Sequence, residues 1–190
     1  METFLISVGA IAFAELGDKT QLLAIVLAAR FRAPVPIILG ILAATLTNHS
    51  LAALFGSLAS DWLSPDVLRW VLVVSFVAMA VWALLPDKLD SEPKMFARFG
   101  AFGATLASFF LIEMGDKTQI ATMALAARYH SILLVTAGTT LGMMIADVPA
   151  VYVGEIAANK LPLKLMRTIA ALIFLGLAAA AIFDYARRLF

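Results

Sequence analysis

The chain has no cysteine. That excludes disulfides, thiolate metal sites and cysteine nucleophiles, although it assigns no compartment. Charge is scarce as well: Asp, Glu, Lys and Arg make up 14% of the 190 residues, and the formal net charge is +1. With so small a balance, and basic residues scattered through short loops rather than gathered in a stripe, no nucleic-acid partner is expected. No basic leader precedes the first apolar stretch, which itself carries one of the motifs below, so it is expected to be a retained helix and not a cleaved signal peptide. Hydrocarbon fills the space that charge leaves. Hydrophobic residues are 63% of the chain and mean hydropathy is +0.97, values that a soluble domain of this size cannot carry. The expected class is an all-α integral membrane protein with the lipid bilayer as its partner.

Six apolar stretches are long enough to cross a hydrocarbon core of roughly 30 Å. They run from Phe4 to Ala29, Val35 to Ala59, Val67 to Leu85, Phe99 to Ala127, Ile132 to Ala157 and Leu165 to Phe183. Proline and charge mark the breaks, at Arg30 to Pro36, Asp61 to Asp66, Pro86 to Pro93, Arg128 to His130 and Asn159 to Pro162. The linker from Pro86 to Arg98 is too charged to hide a seventh span.

The heptapeptide Glu15-Leu-Gly17-Asp18-Lys19-Thr20-Gln21 returns 98 residues later as Glu113-Met-Gly115-Asp116-Lys117-Thr118-Gln119. Between Glu15–Phe31 and Glu113–Tyr129 ten of seventeen positions are identical, concentrated at the polar residues. The same offset sets Gly40 on Gly138, Gly56 on Gly154, Leu63 on Leu161 and Arg69 on Arg167. The chain therefore reads as two three-helix repeats, residues 1–85 and 99–190, joined by a linker at 86–98. Three is odd, so the second repeat enters the bilayer from the opposite side, giving inverted repeats about a pseudo-two-fold axis in the membrane plane. Lys and Arg number eight on the side of the loops at 30–32, 88–98 and 160–167, against four on the side that holds both termini. The positive-inside rule then places both termini outside the cytoplasm.

Glu15 stands about 16 Å into its stretch at 1.5 Å per residue, so both motifs fall near the bilayer midplane. A charge there costs roughly 3 kcal/mol, and the six of the two motifs about 15 to 20 kcal/mol if isolated. They must pair, bind an ion, take up protons or line water. In an unbroken helix Glu15 and Lys19 are i and i+4 in the favourable order, which makes an internal salt bridge the plainest outcome. Over both repeats, however, four carboxylates face two ammonium groups. One divalent cation or two protons would neutralise the difference. Gly17 and Gly115 weaken the helix between the acids and let the backbone open, unless they only permit close packing. Gln21, Gln119, Thr20 and Thr118 add hard oxygens that could line the site or simply bond across helices. An all-oxygen set suits Mg²⁺, Ca²⁺ or Mn²⁺ and not Cu⁺ or Zn²⁺.

A second polar layer lies in the second helix of each repeat, where Asn48 and His49 match Ala146 and Asp147. Asp147, His49 and Asn48 are candidates for a proton relay, and His49 could equally be a satisfied interhelical residue. Glu155 is expected to reach the interface. Gly138 and Gly142, with Gly40 and Ala44 in the matching places, read as tight helix packing.

Two copies of Glu-hydrophobic-Gly-Asp-Lys-Thr, over the whole chain, resemble the Gdt-type cation exchangers, the family of transmembrane protein 165. The resemblance implies exchange of Mn²⁺ or Ca²⁺ for protons, with Glu15, Asp18, Glu113 and Asp116 as the metal-binding acids. It implies no prosthetic group and no catalysis. The compact length looks like a prokaryotic member of the plasma (inner) membrane that exports manganese. On this reading Lys19 and Lys117 balance the charge of the empty site, and transport proceeds by alternating access. A monomer can hold both motifs. The rival readings are an intramembrane aspartic hydrolase built on Asp18 and Asp116, which the neighbouring lysines disfavour, an exporter of amino acids or another small solute, and a passive divalent channel.

Overall fold

The computed structural model describes residues 1–85, 99–153 and 163–189. The linker at 86–98 and Glu155 lie outside them. Among the described residues the regular structure is helical: α1 (Glu2–Glu15), α2 (Lys19–Phe31), α3 (Pro34–Trp62), α4 (Pro65–Leu84), α5 (Gly100–Glu113), α6 (Lys117–Tyr129), α7 (Ile132–Val153) and α8 (Leu163–Leu189). Both motif-bearing stretches are thus split at the motif. With 14 residues and about 1.5 Å of rise per residue, α1 falls short of a bilayer core. With 13 residues α2 falls short as well, and the two reach across only in succession.

Local chemistry sets these boundaries. Pro34 and Pro65 open α3 and α4, where a missing N–H costs nothing. Arg32 and His130, 98 positions apart, both close their helices in the left-handed conformation, at φ 50° and 48°, and donate their N–H groups to Ala28 and Ala126 at 2.9 Å. The backbone repeats here although the side chains differ.

By length and composition Pro34–Trp62, Pro65–Leu84 and Ile132–Tyr152 can each cross a membrane. Their outward faces carry Leu46, Phe55, Leu58, Val74, Val81 and Ile145, all exposed, as lipid contact requires. Polarity is turned inward: Glu15, Asp18, Thr45, Asn48, His49, Glu113, Asp116, Lys117 and Asp147 are buried. The helix pairs exchange under the 98-residue shift. Helix α1 packs on α7 as α5 packs on α3, and α3 on α6 as α7 on α2, while α3 meets α7 and α4 meets α8. Sequence repeats are therefore interleaved in the packing rather than folded side by side.

Glycines make the closest approaches possible. A Cβ at Gly142 would lie 2.7 Å from the Val8 carbonyl oxygen, one at Gly138 2.7 Å from that of Phe4, and one at Gly40 2.9 Å from that of Phe102. The packing role expected for Gly40, Gly138 and Gly142 is what the structure gives them. A Cβ at Gly56 would overlap the Met123 carbonyl on α6. Overpacking of this kind typically costs about 1 to 3 kcal/mol, so Gly56→Ala and Gly142→Ala should lower the thermal unfolding temperature in detergent. Gly9→Ala and Gly176→Ala, with open space beside them, should leave it unchanged.

Candidate functional site

The motif is a turn. Leu16 (φ −62°, ψ 113°) and Gly17 (φ 80°), closed by the Asp18 N–H donating to the Glu15 carbonyl at 3.0 Å, form a type II β-turn, which requires positive φ at its third residue and so favours glycine. Met114 (φ −62°, ψ 118°) and Gly115 (φ 76°) repeat it, with Asp116 N–H to Glu113 at 3.0 Å. Each turn ends α1 or α5 at the glutamate and restarts the chain with the aspartate as N-cap of α2 or α6. Neither aspartate uses its side chain to cap, so both carboxylates remain beside the positive ends of two helix dipoles.

Gln21 and Gln119 brace the turns. Their Oε1 atoms accept the Gly17 and Gly115 N–H groups at 3.0 and 2.7 Å, and Gln21 Nε2 donates to the Ala146 carbonyl of α7 at 3.0 Å. Their carbonyls, expected to line a metal site, are engaged with the backbone instead. Thr20 donates to Glu15 Oε2 at 2.5 Å, and Thr118 is buried at the matching place.

The lysines cross. Lys117 Nζ lies 2.6 Å from Asp18 Oδ1, and Lys19 Nζ lies 2.6 Å from Asp116 Oδ1. The internal Glu15–Lys19 pair expected of a continuous helix does not form, because the turn between them removes the i, i+4 relation. The two bridges differ in burial, the Lys117 side chain being 4% exposed and that of Lys19 23%.

Carboxylate oxygens of Glu15, Asp18 and Asp116 fall within 4.8 Å of one another. Oxygens on opposite sides of an ion bound at about 2.3 Å are about 4.6 Å apart, so this grouping has nearly the span of a coordination shell. It draws acids from both motif copies, and the lysine that meets each aspartate belongs to the other copy. Glu15 Oε1 has no hydrogen-bond partner. Glu113 stands outside the grouping. It accepts from Thr45 Oγ1 at 3.1 Å and Asn48 Nδ2 at 3.3 Å. Thr45 escaped the sequence reading, although it lies one helical turn before Asn48 and His49 in an apolar helix. Asp147 and His49, at matching positions on α7 and α3, are completely buried, and neither the carboxylate oxygens nor the ring nitrogens have a hydrogen-bond partner.

Carboxylates and ammonium groups gathered at the meeting of two broken helices, inside a fold with an apolar exterior, define a membrane transport protein for small cations. The chain belongs to the divalent cation/proton antiporter GDT1 family, whose model matches residues 3–91 and 101–188. It is 53% identical to a Vibrio cholerae protein named "Putative manganese exporter", across 96% of this chain and 92% of that one. It is 30% identical to the GDT1-like protein sll0615 of Synechocystis, across 86% and 88%, and 37% identical to GDT1-like protein 4 of Oryza sativa subsp. indica over 47% of this chain and 32% of that relative. No solved structure matches. The family transports cations and is not one of enzymes, so the hydrolase reading falls away.

Removing one partner of a buried ion pair typically costs about 3 to 5 kcal/mol. Asp18→Asn, which removes the charge paired with the more deeply buried lysine, should therefore lower thermal stability more than Lys19→Ala does, and Asp18→Asn/Lys117→Gln should recover most of the loss. Thermal unfolding of the purified variants measures this.

Proposed function

We propose that this protein exports Mn²⁺ from the cytoplasm in exchange for protons, with Ca²⁺ as the second candidate ion, by alternating access between two inverted three-helix repeats in the inner membrane. One observation carries the reading. The oxygens of Glu15, Asp18 and Asp116 converge within 4.8 Å deep inside the protein, and they come from both motif copies. Glu113 completes the set of four acids. The exchange of packing partners under the 98-residue shift supports two related halves that can rock against each other, and the odd number of crossings per half supports their inversion.

The crossed lysines supply a mechanism. Each ammonium group stands 2.6 Å from an aspartate that the ion needs, so an arriving cation must displace both. When the ion leaves, the lysines return and keep the empty cage from holding bare negative charge in a low-dielectric interior. Four acids against two lysines leave a deficit that one divalent ion or two protons cancel. Ion and protons thus compete for the same oxygens, and exchange of two protons per ion is electroneutral. Asp147, His49 and Asn48 are assigned to the proton path; the burial of Asp147 and His49 without hydrogen-bond partners supports a role that is not purely structural. The charge distribution of the loops supports placing both termini outside the cytoplasm.

In liposomes enclosing a pH-sensitive dye, an inward Mn²⁺ gradient should drive protons out, and Mg²⁺ should do so less well. Asp116→Asn should insert normally yet abolish the exchange and the manganese resistance of cells that carry it. Normal resistance would remove Asp116 from the site. Because the chain has no cysteine, single cysteines report topology cleanly. In intact cells an impermeant maleimide should label Arg69→Cys and spare Lys88→Cys, and the reverse pattern would invert the assignment.

A further inference from the structure

The two halves of the site are unequal, and the inequality has a source on α3. Thr45 and Asn48 lie on one face of that helix and donate to the two carboxylate oxygens of Glu113, Thr45 to Oε1 and Asn48 to Oε2. Asn48 Nδ2 also donates to the Phe110 carbonyl at 3.0 Å. Both amide protons are therefore committed to the last turn of α5, and two acceptors fix which way the amide faces. The matching positions on α7 are Met143 and Ala146, whose side chains offer Glu15 no hydrogen-bond donor. Glu15 is met by Thr20 of its own motif on one oxygen only, while Oε1 remains without a partner. Glu15 joins the 4.8 Å grouping and Glu113 does not.

We propose that Asn48 and Thr45 are positioning residues that hold Glu113 out of the cation cage, so that Glu113 becomes a ligand only when α3 releases it. This rests on the reading of the acids as the cation site. Its consequence is a graded affinity. With three acids the cage holds the ion loosely, and with Glu113 released it closes on it. The hydrogen bonds from α3 compete with the ion for the fourth carboxylate, and the ion can leave because that competitor is always present. Met143 and Ala146 give Glu15 no donor from α7 and leave it only the bond from Thr20 of its own motif, so the difference between the halves is set by the sequence of α3.

The test is equilibrium Mn²⁺ binding to the purified full-length protein, paired with KM and maximal rate for Mn²⁺-driven proton movement in liposomes. Losing one hydrogen bond to a charged group corresponds to roughly a tenfold change in binding. Asn48→Ala and Thr45→Val should each bind Mn²⁺ about that much more tightly, with KM and maximal rate both lowered. Thr45→Ser, which keeps the hydroxyl, should behave as the unaltered protein. Adding Glu113→Gln to either variant should erase the gain. Correctly inserted Asn48→Ala and Thr45→Val with unchanged or weaker binding would overturn the proposal, as would a gain that survives Glu113→Gln. If the unaltered protein binds no Mn²⁺, or binds it equally well as Asp116→Asn, the cation-site reading itself fails. Binding that Asp116→Asn removes but Asn48→Ala does not tighten refutes the role of α3 alone.

Discussion

Two lysine–aspartate bridges, each reaching from one copy of the motif to the other, are the interaction on which the centre of this protein depends. Each aspartate heads a helix and each lysine is the next residue along, so the bridges pin two helix N-termini against each other. Without them the positive ends of both dipoles and two ammonium groups would face one another across a buried gap. With them the same groups neutralise a cluster of carboxylates, and the polar centre becomes tolerable inside an apolar fold. On the proposed function the arrangement is also replaceable, since a cation at the same oxygens would do what the lysines do.

The type II turn makes the crossing possible. Glycine at its third position ends one helix and starts the next within four residues, and it separates glutamate from aspartate onto different helices. The glutamines close each turn by accepting the glycine N–H, a group that the broken helix leaves unsatisfied. Gln21 goes further and ties the break to α7 through the Ala146 carbonyl. Around this core the glycines of α3 and α7 let helices from opposite halves approach at backbone distance, so the halves hold each other's motifs in register.

The outer surface obeys a different rule. Leucine, valine and phenylalanine face outward along the long helices, where a soluble protein would place charge. Buried acids surrounded by such a shell have no route to bulk water except through the protein's own polar interior. That is the setting in which membership of a divalent cation/proton antiporter family acquires a physical basis: hard oxygens, a charge deficit that two positive charges cancel, and ammonium groups 2.6 Å from two of the acids.

The sequence by itself determined the class, the duplication and the chemistry of the site. Hydropathy is a sum over residues, the 98-residue offset is countable, and the oxygen chemistry of the candidate site follows from residue type. Glycine between the acids also marked where each helix would open. Partner choice was not legible. An i, i+4 rule pairs Glu15 with Lys19 only while the helix continues, and a turn of positive φ cancels it, so the bridge to Asp116 depends on how two distant turns meet. Nor could spacing reveal that Glu113 differs from Glu15, for the motifs around them are nearly identical. That difference comes from Thr45 and Asn48, 65 to 68 residues away in the chain, and only the packing of α3 on α5 brings them to it.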